Sequence, residues 1–135
     1  MSYPLQVVSV ERSLFEGDVD FLVATGGEGE IGVLSHHAPL MTILKPGALR
    51  IKPTEGEEQV LFVGGGFLEV LPDRVTVLAD VAEHADEISV GAAEEARRRA
   101  QEKLAGTLTA AEETEFQNAL AMAEARLRLA RARRG

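Results

Sequence analysis

Two glycine-rich segments are the places in this sequence where backbone amides could bind a phosphate. Gly27-Glu28-Gly29-Glu30-Ile31-Gly32 matches the GxGxxG pattern of dinucleotide-binding loops. Such a loop must lead into a helix whose N-terminal amides face the pyrophosphate, but the residues that follow have no helical period and end in Pro39. Gly64-Gly65-Gly66 lacks the Lys-Ser/Thr pair of a phosphate-binding loop. The first segment is therefore predicted to be a turn between strands, and the second a tight bend or close backbone approach.

Histidine, cysteine and carboxylate residues offer little material for catalysis or metal binding. Cysteine is absent, which excludes a disulfide framework, a thiolate metal site and a cysteine nucleophile. The adjacent His36 and His37 point to opposite sides of an extended chain, so they need a third ligand from elsewhere to chelate one ion. No Ser/His/carboxylate grouping stands out as a catalytic triad. We expect neither an enzyme nor a metal site.

Charge and hydropathy exclude two further classes of protein. The formal net charge of −8 disfavours nucleic acid as a partner, because the phosphate backbone repels an acidic protein. The longest mostly apolar stretch, residues 60–68, is interrupted by three glycines, whereas a membrane-spanning helix needs about 20 apolar residues. No secretory signal is expected either.

The C-terminal end carries a cluster of positive charge. Cations near a helix C-terminus complement the helix macrodipole, so a solvated helix end is one interpretation. The other interpretation is an arm that binds an acidic partner surface, and the residues alone leave both open. The clustered residues are Arg126, Arg128, Arg131, Arg133 and Arg134.

The predicted secondary structure that positions these residues divides the chain into two parts. Residues 1–86 carry 14 acidic and 5 basic side chains, whereas residues 87–135 carry 8 and 9. Short aliphatic runs separated by turn residues, such as Glu16-Gly17-Asp18 and Pro46-Gly47, predict a β-sandwich or barrel in the first part. The predicted strands are Leu5–Val10, Val19–Ala24, Ile31–Leu34, Leu40–Leu44, Ala48–Lys52, Val60–Val63, Phe67–Leu71 and Val75–Ala79.

The second part has a helical period and holds 13 of the 19 alanines. A first helix is predicted to begin near Ser89 to Ala92 and to end at Gly106. Thr109-Ala110-Ala111-Glu112 is a capping box, so a second, antiparallel helix should begin there. The predicted stripes are Ala92, Ala96, Ala100 and Leu104 on the first helix, and Phe116, Leu120, Ala123, Leu127 and Ala130 on the second.

The seam between these helices is mostly alanine, which limits its stability. Burying a methyl-sized group gains about 0.8 kcal/mol, whereas ordering the backbone of one residue costs roughly 1–2 kcal/mol. The hairpin alone should therefore be marginal and mobile. We expect it to need the β domain or another protein to complete its packing.

Five segments of the sequence carry a family resemblance: Gly29–Leu34, His37–Leu40, Lys45–Gly47, Gly65–Val70 and Val75–Ala79. They closely resemble the epsilon subunit of the F-type ATP synthase in bacteria. Their order and spacing agree with the family, and the helical hairpin agrees in pattern. The resemblance implies an α+β chain: a ten-stranded antiparallel β-sandwich at residues 1–86, then a regulatory two-helix hairpin at residues 87–135.

The resemblance also implies a function and partners. A member of this family is a non-catalytic part of the rotor stalk that clamps the gamma subunit to the c-ring, on the cytoplasmic face of the cell membrane. It reaches the membrane only through the complex. Its helices can extend toward the beta subunit and impede ATP hydrolysis, which would give the arginine tail the acidic loop of beta as its partner. The positions corresponding to the c-ring side are Glu30, Ile31, His37 and Ala38.

The family's nucleotide-binding motif is incomplete in this sequence. Some family members bind ATP through an Ile-Asp-x-x-Arg-Ala motif, and the matching stretch Ile88–Ala93 lacks both the carboxylate and the arginine. A lost charge-assisted contact costs about 1.5–3 kcal/mol. We expect no cofactor, with ATP at most a weak regulatory ligand of the remnants Ile88, Arg99 and Arg128. The alternative from another class is a stand-alone ligand-binding β-sandwich with a helical dimerisation arm.

Overall fold

A computed structural model describes residues 1–27, 29–35 and 38–134, without the side chains of Arg133 and Arg134. The chain divides into two compact units, with the boundary between His84 and Ala85. No helix within the described residues is both long and apolar enough to span a membrane.

The first unit is a β-sheet that closes on itself. Strand β1 pairs with β2 on one side and with β6 on the other, so the path β1-β6-β5-β4-β2 forms a ring, and β3 adds to β2. The pairing of β1 with β6 is parallel, and the other pairings are antiparallel. The strands are β1 (Tyr3–Ser9), β2 (Ser13–Gly26), β3 (Gly29–Leu34), β4 (Leu40–Pro53), β5 (Gln59–Leu71), β6 (Arg74–Ala79) and β7 (Ala82–His84).

The described chain thus has seven strands, not the expected ten, and one pairing is parallel. Three strands of 13 or 14 residues continue through segments predicted to break them. Glu16-Gly17-Asp18 lies inside β2, and Pro46-Gly47 lies inside β4, where both residues still pair with β5. The turn-forming residues at these positions therefore do not end the strands. The parallel pair arises because β1 fills the gap that closes the ring.

The glycines at residues 64–66 confirm the predicted close backbone approach. They lie within β5, and Gly66 has a φ of +133°, in the region that favours glycine. A Cβ atom at this position would lie 2.1 Å from the Leu78 carbonyl oxygen of β6. Any larger residue would therefore separate β5 from β6.

The interior of the β unit is aliphatic. Leu22, Ile51 and Leu68 are completely inaccessible to solvent, as are Val7 and Val77. Among the described residues no polar or charged side chain is fully buried. The core therefore depends on packing of hydrocarbon, and no polar network is needed to hold it.

The second unit confirms the predicted helix ends. After a single turn at Ala85–Glu87, α1 spans Val90–Leu104 and α2 spans Ala110–Arg134. The Ser89 hydroxyl caps α1 by accepting a hydrogen bond from the Ala92 N–H at 3.2 Å. At α2 the Thr109 N–H donates to Glu112 Oε1 at 3.1 Å, and the Glu112 N–H donates to Thr109 Oγ1 at 3.2 Å. This is the reciprocal capping box that the sequence predicts.

The prediction of which helix face is buried is confirmed on α2 and partly wrong on α1. On α2, Ala123, Leu127 and Ala130 are buried, and Phe116 and Leu120 are partly buried. On α1 the buried residues are Ala93 and Ala100, whereas the predicted Ala92 and Ala96 are exposed. Alanines at adjacent positions allow two helical faces, and the sequence pattern alone does not decide between them.

Candidate partner-binding surface

A row of large apolar side chains lies on the outside of the β unit. Ile43 on β4 pairs with Phe67 on β5, and Phe67 pairs with Leu78 on β6. Their side chains are 64%, 47% and 50% exposed. We call these three residues the outer row.

The outer row exists because both faces of these strands are apolar. Side chains alternate between the faces of a strand, so the neighbours Leu44, Leu68 and Val77 point inward and are buried. The outer row points the other way and remains in contact with water. Contiguous exposed apolar residues of this kind mark interaction surfaces on soluble proteins.

The outer row continues into a surface hollow of about 700 Å³ beside the β2–β3 hairpin. Ile43 and Phe67 form one wall of it, together with Met41, which is 64% exposed. Glu30 and Ile31, the residues predicted to face the c-ring, form the other side. The full lining is Gly27, Gly29, Glu30, Ile31, Met41, Thr42, Ile43 and Phe67.

Two of the four residues predicted to face the c-ring line the hollow. Glu30 is exposed on β3, where it pairs with Thr25, and Ile31 is partly buried against the core. Ala38 is exposed two residues before β4 begins. His37 lies outside the described residues. The predicted turn between strands is confirmed in position but not in extent. The chain reverses here, because Gly26 at the end of β2 pairs with Gly29 at the start of β3, but residues 29–32 of the predicted turn belong to β3.

The basic tail lies on α2, but its side chains differ in exposure. Arg128 and Arg131 are exposed and three residues apart, so they share one face of the helix. Arg126 is partly buried. The side chains of Arg133 and Arg134 lie outside the described part of the chain.

The remnants of the nucleotide motif are spread over the helical unit. Ile88 is partly buried just before the α1 cap, and Arg99 and Arg128 are exposed on different helices. Within residues 1–27, 29–35 and 38–134, no group of three His, Asp or Glu side chains could hold a metal ion. No described buried side-chain nitrogen or oxygen lacks a hydrogen-bond partner.

The outer row was not predicted from the sequence, although a signal for it exists. The runs Leu40–Leu44, Phe67–Leu71 and Val75–Ala79 place apolar residues at successive positions and hence on both faces of a strand. Such a run indicates either a strand buried on both sides or an exposed face that a partner covers. The register of β4, β5 and β6, with the exposure of the three side chains, shows that this face is not buried within the β unit.

Comparison with known proteins identifies the family. A family model described as the beta-sandwich domain of the ATP synthase delta/epsilon chain matches residues 2–85. An ATP synthase epsilon chain from Dehalococcoides mccartyi is 48% identical over 96% of this chain and 93% of the relative. This chain belongs to the ATP synthase epsilon-chain family.

A second relative belongs to the same family. The epsilon chain of Chromohalobacter salexigens is 44% identical over 94% of this chain and 90% of its own length. Epsilon chains are non-catalytic subunits of ATP synthase, which confirms the expectation that this chain is not an enzyme.

Two solved structures share the fold. A chain of the Euglena gracilis mitochondrial ATP synthase superposes with a TM-score of 0.78 at 24% identity, over 91% of this chain and 78% of that one. A chain in the central stalk and c-ring structure of the Tetrahymena thermophila mitochondrial ATP synthase has a TM-score of 0.72 at 14% identity, over 96% and 97%.

Proposed function

We propose that this epsilon chain is a subunit of the central stalk of a proton-translocating F-type ATP synthase, in which its β unit joins the gamma subunit to the c-ring. The outer row carries this proposal, because three exposed apolar side chains in register form a surface suited to a partner subunit. The Tetrahymena structure, which contains a central stalk and a c-ring, supports the same assignment.

The two sides of the hollow suit different partners. The outer row is the surface for gamma, because aromatic and aliphatic side chains in the centre of an interface supply most of its binding energy. Glu30 and Ile31, on the other side, are the surface for the c-ring, and His37 and Ala38 are proposed to contact the same partner. An exposed carboxylate on a glycine-rich edge suits basic and polar loops. The chain then lies peripherally at the cytoplasmic face of the membrane, which it reaches through the complex.

The helical unit is proposed to restrain ATP hydrolysis. An alanine seam gives a small packing energy, so contacts with a partner can shift the helices between two arrangements. The exposed Arg128 and Arg131 suit the acidic loop of the beta subunit. ATP is proposed to bind weakly at most, because the carboxylate and the arginine of the family motif are missing from Ile88–Ala93.

A substitution in the outer row tests the role of the β unit. Phe67→Ser removes the central side chain of the row, and we expect the affinity for isolated gamma to fall about tenfold or more. Val10→Ser is the matched control, because Val10 is 89% exposed but lies outside the row. Equal affinity of the Phe67→Ser variant and the unaltered chain would refute the assignment of this surface.

A truncation tests the regulatory role. ATP synthase complexes carrying a chain without residues 126–135 should hydrolyse ATP faster than complexes with the full chain, while ATP-driven proton pumping per ATP hydrolysed stays the same. Unchanged hydrolysis would contradict the proposed inhibition. Loss of pumping would show that the tail also serves the coupling function.

A further inference from the structure

One hydrogen bond joins two strands that are far apart in sequence and do not pair with each other. The Tyr3 hydroxyl on β1 donates to the Val33 carbonyl oxygen on β3 at 2.5 Å, across 30 residues. Tyr3 is the single tyrosine of the chain. Its ring packs against the aliphatic core, and Val33 is 1% exposed.

The strand register places this bond at a junction. Val19 of β2 pairs with Tyr3 on one edge and with Pro53 of β4 on the other. Further along β2, Leu22 pairs with Val33 on one edge and with β4 on the other. Strands β1 and β3 therefore lie end to end along the same edge of β2. The Tyr3 side chain bridges the gap between them, where no backbone ladder continues.

Strand β3 has few other restraints. It is six residues long, and among the described pairings it pairs with β2 alone. It also carries Glu30 and Ile31, which line the hollow beside the outer row. A short strand paired on one side can shift as a hairpin, and the Tyr3 bond ties its far end to the body of the β unit.

The Tyr3 hydroxyl is held in its donor form. Burial raises its pKa to about 12, although a hydrogen bond with the Leu22 backbone opposes the rise. The hydroxyl is therefore protonated, and able to donate to Val33, throughout the physiological pH range.

We propose that Tyr3 is a positioning residue whose hydroxyl fastens the end of β3 and so holds the Glu30–Ile31 edge in the arrangement that a partner binds. The proposal rests on the function proposed above, in which this edge faces the c-ring. Preorganising a binding edge lowers the ordering cost that association would otherwise carry.

The first test measures the restraint itself on the full chain. Tyr3→Phe removes the hydroxyl and keeps the ring, and amide exchange in β3 should accelerate about two- to tenfold, as the loss of one hydrogen bond implies. Thr54→Val is the matched control, because it removes an exposed hydroxyl bond to Asp20 at 3.1 Å across 34 residues without touching β3. Unchanged β3 exchange in the Tyr3→Phe chain would overturn the proposal.

The second test measures binding to a complex of gamma and the c-ring. Tyr3→Phe leaves the outer row unaltered and should weaken binding to this complex about two- to tenfold. Thr54→Val should leave the binding affinity unchanged. Replacing Tyr3 by 3-fluorotyrosine at neutral pH returns a hydroxyl to the same ring and should restore the affinity. Equal binding of the Tyr3→Phe and unaltered chains would overturn the proposal, as would failure of the fluorotyrosine chain to recover.

A further pair of variants separates this proposal from the function on which it rests. Glu30→Ala and Ile31→Ala alter the edge directly and leave Tyr3 in place. If they bind the complex normally, the assignment of the edge to the c-ring fails. If they weaken binding and Tyr3→Phe does not, the edge assignment stands and the positioning role of Tyr3 is refuted.

Discussion

The two units of the chain are stabilised in different ways. Among the described residues, the β unit buries 19 apolar side chains, of which 16 are larger than alanine. The helical unit buries six alanines and Leu127. The β unit therefore has a hydrophobic core of its own, whereas the helical unit depends more on local devices such as the caps at Ser89 and Thr109.

The proposed regulation uses this difference, with the β unit as the rigid part and the helical unit as the part that changes arrangement. Large aliphatic side chains interlock in one arrangement, and moving them apart is costly. A face of alanines is smooth and contributes little energy per residue, so a second arrangement costs little more than the first.

The largest expected effect is in the β core. Leu68→Ala removes a side chain that is completely buried on β5 and should lower the free energy of unfolding by about 2–5 kcal/mol. Leu120→Ala on α2 is the control, because Leu120 is only partly buried and should cost less. Urea unfolding followed by tyrosine fluorescence and circular dichroism measures both. Equal losses would remove the contrast between the units.

A smaller effect is expected at the α2 capping box. Thr109→Ala removes the oxygen that accepts from the Glu112 N–H and should cost about 1 kcal/mol of helix stability. Thr107→Ala is a matched control in the connection before the box. Amide exchange should accelerate in the first turn of α2 and stay unchanged in the β unit. Acceleration in both units would mean that they unfold together.

The smallest expected effect is a dependence of the stability of α2 on pH. Hydrogen bonds from the Thr109 backbone and side chain lower the pKa of Glu112 below its usual value of 4.5. A lowered pKa in the folded state means that the stabilisation is complete above pH 4.5 and is lost as the pH falls through the lowered value. As the pH is lowered from 6, the helicity measured by circular dichroism should decrease less in a Glu112→Gln chain than in the unaltered chain. Identical profiles would exclude a contribution from this carboxylate.

The helical unit was predictable because its signals are local. A serine before an alanine-rich run, a glycine after it and a Thr-x-x-Glu box each satisfy backbone groups within four residues. The helix ends follow from them. The buried face of α1 did not follow, because Ala92, Ala93, Ala96 and Ala100 are chemically alike and packing alone distinguishes them.

The β unit was predictable in class but not in strand count or surface. Aliphatic runs indicated a closed or layered sheet, but Pro46-Gly47 has the composition of a turn and lies within β4, where both residues pair with β5. The outer row was missed because an apolar run on both faces of a strand fits a strand buried on both sides as well as one with an exposed apolar face. The Tyr3 bond to Val33 joins residues 30 apart and depends on two strands meeting along β2.

Unfolding of the full chain followed by two probes tests the central claim most directly. Tyr3 is the only tyrosine and tryptophan is absent, so tyrosine fluorescence reports the β unit, while far-ultraviolet circular dichroism is dominated by the helices. A self-sufficient β unit with weakly held helices predicts that the helical signal is lost at a lower urea concentration than the fluorescence signal. Coincident transitions of the two probes would contradict the account.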